Sequence, residues 1–128
     1  MVELARDHQG GPLSLKSISD SQQISLKYLE QLIAVLKGAG LVKAARGFGG
    51  GYRLARSPEQ ITLHDVFVAM EGPPNLVECV GDAESCSLHA ICPTRATWVK
   101  MSSALTEILK STTVRDLAEQ PAQSELLS

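Results

Sequence analysis

The chain has 128 residues, of which 44% are hydrophobic and 20% are charged. This balance is typical of one globular domain and excludes a disordered, collagen-like or disulfide-rich secreted chain. No apolar run approaches the ~20 residues of a membrane span, and the first residues lack the features of a signal peptide. We therefore expect a cytoplasmic protein with no membrane partner.

Charge is distributed unevenly along the chain. Residues 1–60 hold eight Lys and Arg against five Asp and Glu, which gives a net charge of +3. Residues 61–128 hold four basic and nine acidic side chains, which gives −5. Such a division is consistent with one surface for a polyanion and another for a different partner, although small proteins also show it by chance.

The first forty residues predict three helices. Residues 2–8 favour a short helix that ends at Gly10-Gly11-Pro12. Ser14 is a typical N-cap for a helix over 15–22, and Ser25 is one for a longer helix that ends at Gly38 and Gly40. The apolar residues of this longer helix recur along one stripe: Tyr28, Leu29, Leu32, Ile33 and Leu36.

A hairpin and a fourth helix follow. Residues 41–44 and 52–55 predict two strands joined by a glycine-rich turn over 46–51, which is a β-hairpin with a basic tip. Thr62 and Asp65 have the spacing of a capping box for a helix that ends near 70. Its inner face would consist of Val66, Phe67 and Met70.

The C-terminal part predicts an irregular loop and a long helix. Residues 75–92 form the loop, which contains every cysteine of the chain. After Pro93, a helix of about 17 residues carries a heptad-like apolar seam, typical of helix pairing. The spacing of Thr113 and Asp116 could start one more short helix, and a polar tail follows. The seam consists of Trp98, Met101, Leu105 and Ile108.

This order of elements predicts a mostly helical winged helix-turn-helix with a small β wing. The second helix of such a motif enters the major groove of DNA with its N-terminal residues. Gln31 can bind adenine through two hydrogen bonds, Lys27 can reach guanine or phosphate, and Ser25 or Tyr28 can hold phosphate. Arg46 at the glycine tip can enter a minor groove. A polar helix face that is merely solvated is the alternative.

The cysteines indicate a metal centre. Cys79, Cys86 and Cys92 are separated by six and five residues. An odd number argues against a disulfide framework, and no two-residue spacing of the zinc-binding kind is present. Thiolates at wide spacing suit an iron–sulfur cluster, whose fourth ligand would be His89, an acid or another part of the molecule. Three free thiols in a mobile loop are the alternative.

Three strings together resemble the IscR/NsrR-like (Rrf-type) winged-helix regulators. They are Ile24-Ser25-Leu26-Lys27-Tyr28-Leu29-Glu30-Gln31-Leu32, then Gly40-Leu41-Val42 with Arg46-Gly47-Phe48-Gly49-Gly50-Gly51-Tyr52-Arg53-Leu54, and the three cysteines followed by Pro93-Thr94-Arg95 and Trp98. The resemblance covers about residues 1–118. It implies a homodimeric transcription regulator that acts as a repressor on a palindromic operator in double-stranded DNA. It also implies an iron–sulfur cluster, with 2Fe–2S expected ahead of 4Fe–4S.

The resemblance also implies domains and residue roles. The winged-helix domain would span 1–71, the cysteine cluster loop 72–93, the dimerisation helix 94–119 and the tail 120–128. Cys79, Cys86 and Cys92 would be cluster ligands, and the seam would be the dimer core. Glu30 would tune the base preference. The implied DNA contacts are Ser25, Lys27, Tyr28, Glu30, Gln31, Arg46 and Gly47.

Two features depart from the family pattern. Members with a histidine ligand carry it three residues after the last cysteine, where this chain has Arg95. Family chains also begin earlier, with a basic stretch and the first half of helix 1. We therefore expect either a sequence truncated at an internal methionine or a member with weakened DNA and cluster binding.

Three other functions are considered. A regulator without a cluster could use the cysteines as thiol or small-molecule sensors. An enzyme could pair a cysteine nucleophile with His64 or His89, but no strand–turn–helix elbow presents a nucleophile, so we expect no enzyme. A dimeric interaction module could use the Trp98 helix alone. For the cluster regulator, the sequence does not choose among nitric oxide, oxygen, iron or cluster supply and redox state as the signal.

Overall fold

The computed structural model describes residues 1–46 and 50–121. Within these ranges the helices are α1 Val2–Arg6, α2 Leu15–Gln22, α3 Leu26–Gly38, α4 Leu63–Glu71, α5 Glu78–Gly81, α6 Arg95–Ser111 and α7 Val114–Glu119. The strands are β1 Val42–Ala45 and β2 Gly51–Leu54, and short 3₁₀ helices span Pro58–Gln60 and Ala83–Ser85. The fold is mostly helical with a small two-stranded sheet, as predicted. No helix in the described ranges is long and apolar enough to cross a membrane.

Side chains cap the helices at the predicted positions. The hydroxyl of Ser14 accepts the Ser17 N–H at 3.1 Å, and that of Ser25 accepts the Tyr28 N–H at 3.1 Å. Thr62 forms the predicted capping box at α4 with Asp65. Each cap satisfies an N–H that lacks a partner within the helix, so the start of the helix is fixed locally.

The turns on either side of α3 fix its direction. At its start, Gln23 adopts the left-handed conformation with φ 54°, and the Ile24 N–H bonds the Ser19 carbonyl at 3.2 Å. At its end, Gly40 has φ 75° and donates to the carbonyl of Lys37 at 3.0 Å. This left-handed glycine is a common way to stop a helix, because the C=O groups of the last turn gain partners.

The two strands form an antiparallel hairpin, which we call the wing together with its turn. Both strands begin one residue away from their predicted starts. Val42 lies opposite Leu54, and each is only 2% exposed, so this pair faces the core. On the other edge of β2, the Tyr52 N–H bonds the Leu13 carbonyl at 2.7 Å, and the Leu13 N–H bonds Tyr52 at 2.9 Å. This bridge attaches the wing to the residues before α2, which the sequence did not predict.

The core lies between the first three helices and the wing, and two residues from later in the chain complete it. Ile61 and Val114 are 0% and 1% exposed and close it from the C-terminal side. The predicted inner face of α4 is only half-buried: Val66 and Met70 pack against the core, whereas Phe67 lines a surface groove. The remaining core residues are Leu4, Ile18, Leu29, Ile33, Leu36, Leu41, Val42 and Leu54.

The predicted dimerisation segment 94–119 divides into two helices. The long helix α6 ends at Ser111, and α7 packs against α1 and the first 3₁₀ helix. Backbone bonds of 2.9 Å join Leu63 to Thr112 and Val114 to Ile61, which anchors this junction to the core. Thr113 and Asp116 form the capping box that the sequence predicted for α7. α7 is therefore part of the N-terminal packing unit.

Candidate nucleic-acid interface and cysteine segment

The outer face of α3 presents the predicted contact residues to solvent. Its inner side is held by Leu29, Ile33 and Leu36, all less than 9% exposed. The five predicted contacts on this helix and its cap are exposed: Ser25, Lys27, Tyr28, Glu30 and Gln31. Tyr28, which the sequence placed on the apolar stripe, is 54% exposed and lies outside the core.

One residue of this face was missed. Val35 is 44% exposed and follows Gln31 by four positions, so both lie on the same side of α3. An apolar side chain at such a position can contact a thymine methyl group in the major groove. The signal was available in the sequence, because position 35 lies off the helical stripe that contains Ile33 and Leu36.

The charges of α3 are available to a ligand. Among the described residues, no carboxylate lies within 4.0 Å of Lys27 or Lys37, and no cation lies within that distance of Glu30. The N-terminus of α3 adds the positive end of the helix dipole beside Lys27. This end of the helix therefore suits an anionic ligand such as a DNA phosphate.

The wing carries exposed cations. Arg46 is exposed where β1 ends, as expected for a residue at the tip of the wing. Gly47 lies outside the described residues, so its predicted contact stays a prediction. Lys43 and Arg53 lie directly opposite each other on β1 and β2, and both are exposed. No motif in the sequence indicates a role for either residue.

The cysteine segment, residues 72–93, contains short helices where the sequence predicted an irregular loop. Cys79 lies on the single turn of α5, and a 3₁₀ turn follows. Two hydrogen bonds attach the segment to α6: the Leu76 N–H donates to the Ser102 hydroxyl at 3.2 Å, and the Arg95 guanidinium donates to the Cys79 carbonyl at 3.3 Å. These bonds define the position of the first half of the segment on the long helix.

The three thiols are free and half-buried. In the described ranges, no three Cys, His, Asp or Glu side chains lie close enough to hold one metal ion. The Thr94 hydroxyl, 3.2 Å from Cys92 Sγ, lowers the pKa of that thiol, helped by backbone N–H groups and by the charge of Arg95. The structure therefore places the predicted ligands in one segment without bringing them together.

Two polar side chains, His89 and Arg95, lie in or next to the cysteine segment. His89 Nδ1 lies 2.9 Å from the Cys86 carbonyl, which can only accept, so in the neutral ring Nδ1 carries the proton and Nε2 has the lone pair. Arg95 Nε is buried without a hydrogen-bond partner in the described part of the chain. Arg95 cannot serve as a ligand, whereas His89 Nε2 can.

The seam of α6 remains partly open to solvent. Ile108 is 61% exposed and Met101 40%, while Trp98 and Leu105 are half-buried. The side of the helix that packs inward instead contains Ser102 and Leu109, which are 3% and 8% exposed. The seam thus forms an apolar strip beside the packed face.

Comparison with known proteins identifies the family. The Rrf2 model, described as an iron-dependent transcriptional regulator, matches residues 1–120. The chain belongs to the Rrf2 family. It is 44% identical over 118 residues to the HTH-type transcriptional regulator CymR of Bacillus subtilis (strain 168), covering 92% of this chain and 80% of that protein. It is 38% identical over 117 residues to the HTH-type transcriptional regulator IscR of Aliivibrio salmonicida, covering 91% of this chain and 69% of that protein.

Solved structures agree with this assignment. The structure of CymR (YrzC), described as the global cysteine regulator of B. subtilis, has a TM-score of 0.79 and 41% identity, covering 94% of this chain and 88% of that one. The structure of T. potens IscR has a TM-score of 0.76 and 37% identity, covering 99% of this chain and 87% of that one. The winged-helix prediction is confirmed, and the chain is a transcriptional regulator of the Rrf2 type. The Rrf2 relatives are named as regulators and not as enzymes.

Proposed function

We propose that this Rrf2 regulator is a homodimeric repressor that binds a palindromic operator, with an affinity set by an iron–sulfur cluster on the cysteine segment. The observation that carries the DNA-binding part is the exposed polar face at the N-terminal end of α3. There, Lys27 and Gln31 lie opposite the buried side of the helix, and Lys27 has no competing ion pair among the described residues. This is the part of a recognition helix that reaches base edges.

Each predicted contact has a separate role. Gln31 reads adenine, Lys27 reaches guanine or phosphate, and Ser25 and Tyr28 hold phosphate. Glu30 accepts from some bases and repels others. Arg46 extends from the wing toward a minor groove, where glycine neighbours allow close approach. Gly47 is proposed for this approach from the sequence alone.

The α6 seam is proposed as the dimer core. An apolar strip with Ile108 at 61% exposure is unfavourable in water, and a second copy of the same helix would cover it. A two-fold axis through this contact would present two copies of α3, so the operator would be palindromic. The homodimer and the palindrome therefore follow from the same contact.

The donor set of the cysteine segment fits an iron–sulfur cluster. Cys79, Cys86 and Cys92 form no disulfide bonds, and Cys92 has a lowered pKa, which favours the thiolate that iron requires. His89 Nε2 is available as a fourth ligand. Since the three thiols are not gathered here, the second half of the segment would have to rearrange around the cluster.

The residues around the segment link it to the rest of the fold. When bound, a cluster would supply a centre that responds to redox state, nitric oxide, oxygen or iron supply. Ser102 and Arg95 hold Leu76 and Cys79 on α6, and α4 leads directly into the segment. A change in the segment would therefore act on α4 and on the dimer helix together. A coupling of ~1–3 kcal/mol is enough to change DNA occupancy.

A regulator without a cluster is the second candidate. The observation that favours it is that the three thiols stay apart in the structure and remain half-exposed. In that case the cysteines would act as thiol or small-molecule sensors, with oxidation replacing cluster loss as the signal.

The deciding experiment is anaerobic purification followed by a visible absorption spectrum and iron and sulfide counts. We expect a coloured protein with near-stoichiometric iron and sulfide, a colour lost in Cys92→Ala and kept in the neighbouring control Ser87→Ala. A colourless, iron-free protein after reconstitution would refute the cluster. A response of its DNA binding to thiol oxidation would then support the second candidate.

The DNA-binding part is tested separately. Selection of binding sequences from random duplexes should return a palindrome. Gln31→Ala removes one bidentate base contact of ~1–3 kcal/mol from each of the two protomers, so affinity should fall by at least about 30-fold. Gln60→Ala, an exposed glutamine on the first 3₁₀ helix, is the control and should bind as the wild type does. Equal binding by both variants would contradict the proposed face of α3.

A further inference from the structure

The wing holds two cations in an arrangement that opposes its own stability. Lys43 on β1 and Arg53 on β2 are paired directly across the hairpin. The neighbouring pair, Val42 and Leu54, is buried, so alternation along the strands places Lys43 and Arg53 on the outer face. Directly opposed side chains have Cβ atoms about 5 Å apart, and like charges at that distance repel.

The rest of the described chain pairs several of its cations. Lys16, Arg56 and Arg115 each have a carboxylate within 4.0 Å. Lys43 and Arg53 have none within that distance among the described residues, and both are exposed. The pair is therefore an unneutralised positive site on the outside of the wing.

Protection of a sheet edge does not explain both residues. Within the described residues β1 pairs with β2 alone, so its other edge is free, and a lysine on an edge strand can serve to prevent strand addition. β2, however, is bonded on its other side to Leu13, so it is an inner strand there. Arg53 has no edge to protect, so edge protection does not account for the pair.

We infer that Lys43 and Arg53 form a DNA-phosphate clamp on the outer face of the wing, distinct from the base-reading face of α3. The inference rests on the proposed DNA-binding function. A guanidinium binds phosphate oxygens through two parallel hydrogen bonds, and an ammonium adds a compact charge beside it. β1 follows α3 closely in the chain and is followed directly by Arg46, so the clamp is adjacent in the chain to residues proposed to bind DNA. It adds affinity without reading sequence.

The test compares two double variants that remove the same charge. Lys43→Gln/Arg53→Gln removes the clamp, and Lys100→Gln/Lys110→Gln removes two exposed lysines of α6 as the control. The probe is a labelled 30-bp duplex of mixed sequence, whose dissociation constant is measured by fluorescence anisotropy from 50 to 200 mM salt. Melting temperatures of both variants are measured alongside.

We expect the DNA affinity of the clamp variant to depend less steeply on salt concentration than that of the wild type. Each phosphate contact adds ~0.9 to the slope of log affinity against log salt, so two residues per protomer change the slope of a dimer by ~3.6. Across this salt range the wild type should therefore lose roughly 100-fold more affinity than the variant does. The melting temperature should not fall, because the repulsion is removed.

Four results would overturn the inference. A slope equal to that of the α6 control means that the pair does not contact phosphate. A lower melting temperature, by several degrees, means that the pair is structural. A different sequence preference in random-duplex selection means that the pair reads bases. In these three cases the wild type still binds DNA, so the proposed function stands; a wild type that binds no duplex would refute both.

Discussion

Replacing Gly51 with alanine is expected to detach the wing from the chain that precedes α2. A Cβ atom on Gly51 would lie 2.3 Å from the carbonyl oxygen of Leu13 and 2.9 Å from the backbone nitrogen of Ser14. Both are backbone atoms, so neither can rotate aside as a side chain would. The φ of Gly51 is not positive, which means that this close approach alone requires glycine.

The expected loss of folding stability follows from the backbone contact that must break to make room for the Cβ atom. The Leu13–Tyr52 bridge consists of two hydrogen bonds, of 2.7 and 2.9 Å. At ~0.5–1.5 kcal/mol each, their loss costs about 1–3 kcal/mol. Alanine recovers ~0.4–1 kcal/mol by restricting the unfolded chain, so the net loss is at most about 2.6 kcal/mol and is about 1.3 kcal/mol at the midpoints of the two ranges. For a domain of this size that lowers the melting temperature by about 3–10 °C.

Gly38→Ala is the matched control. Gly38 is the last residue of α3, and no heavy atom lies within 4 Å of its added Cβ, so this variant should be as stable as the wild type or up to ~1 kcal/mol more stable. Urea unfolding followed by far-UV circular dichroism, at one protein concentration, measures both. Equal stability of the two variants, or unchanged amide protection of Tyr52 in Gly51→Ala, would refute the reasoning.

Two further substitutions test the turn before α3 and the α6 seam. Gln23→Gly should raise the free energy of unfolding by about 0.5–1 kcal/mol, because φ 54° is strained for any residue with a Cβ; lower stability in urea would contradict this. Ile108→Glu should convert the proposed dimer to a folded monomer in analytical ultracentrifugation, since a charge would enter the apolar contact. Lys110→Glu is its control on the same helix, and an Ile108→Glu variant that stayed dimeric would exclude the seam as the dimer core.

The elements that could be predicted from the sequence are those fixed by local bonds. Ser14 and Ser25 each cap a helix through an N–H three residues ahead, and Thr62 and Thr113 each begin a capping box. These interactions span less than one turn, so their residue types mark the helix start without knowledge of the fold. The exposed face of α3 follows in the same way from its helical periodicity.

What could not be predicted depends on residues distant in sequence. The bond of Leu13 to Tyr52 and the packing of α7 on α1 have no local signal, because each arises only when the core closes. The short helix α5 around Cys79 is one turn long, below the length at which periodicity is informative. The arrangement of the thiols is equally non-local, so their spacing predicted a ligand set and not its geometry.

The bond between Ser102 and the cysteine segment provides a last prediction. Ser102 is 3% exposed, and its hydroxyl accepts the Leu76 N–H at 3.2 Å. Ser102→Ala removes the acceptor at a cost of about 1 kcal/mol, so the segment should open roughly fivefold more often and be cleaved that much faster by protease. Ser103→Ala, one exposed position along the same helix, should be cleaved at the wild-type rate. If both variants are cleaved equally, Ser102 does not hold the segment, and the proposed link between the cysteines and α6 would rest on Arg95 alone.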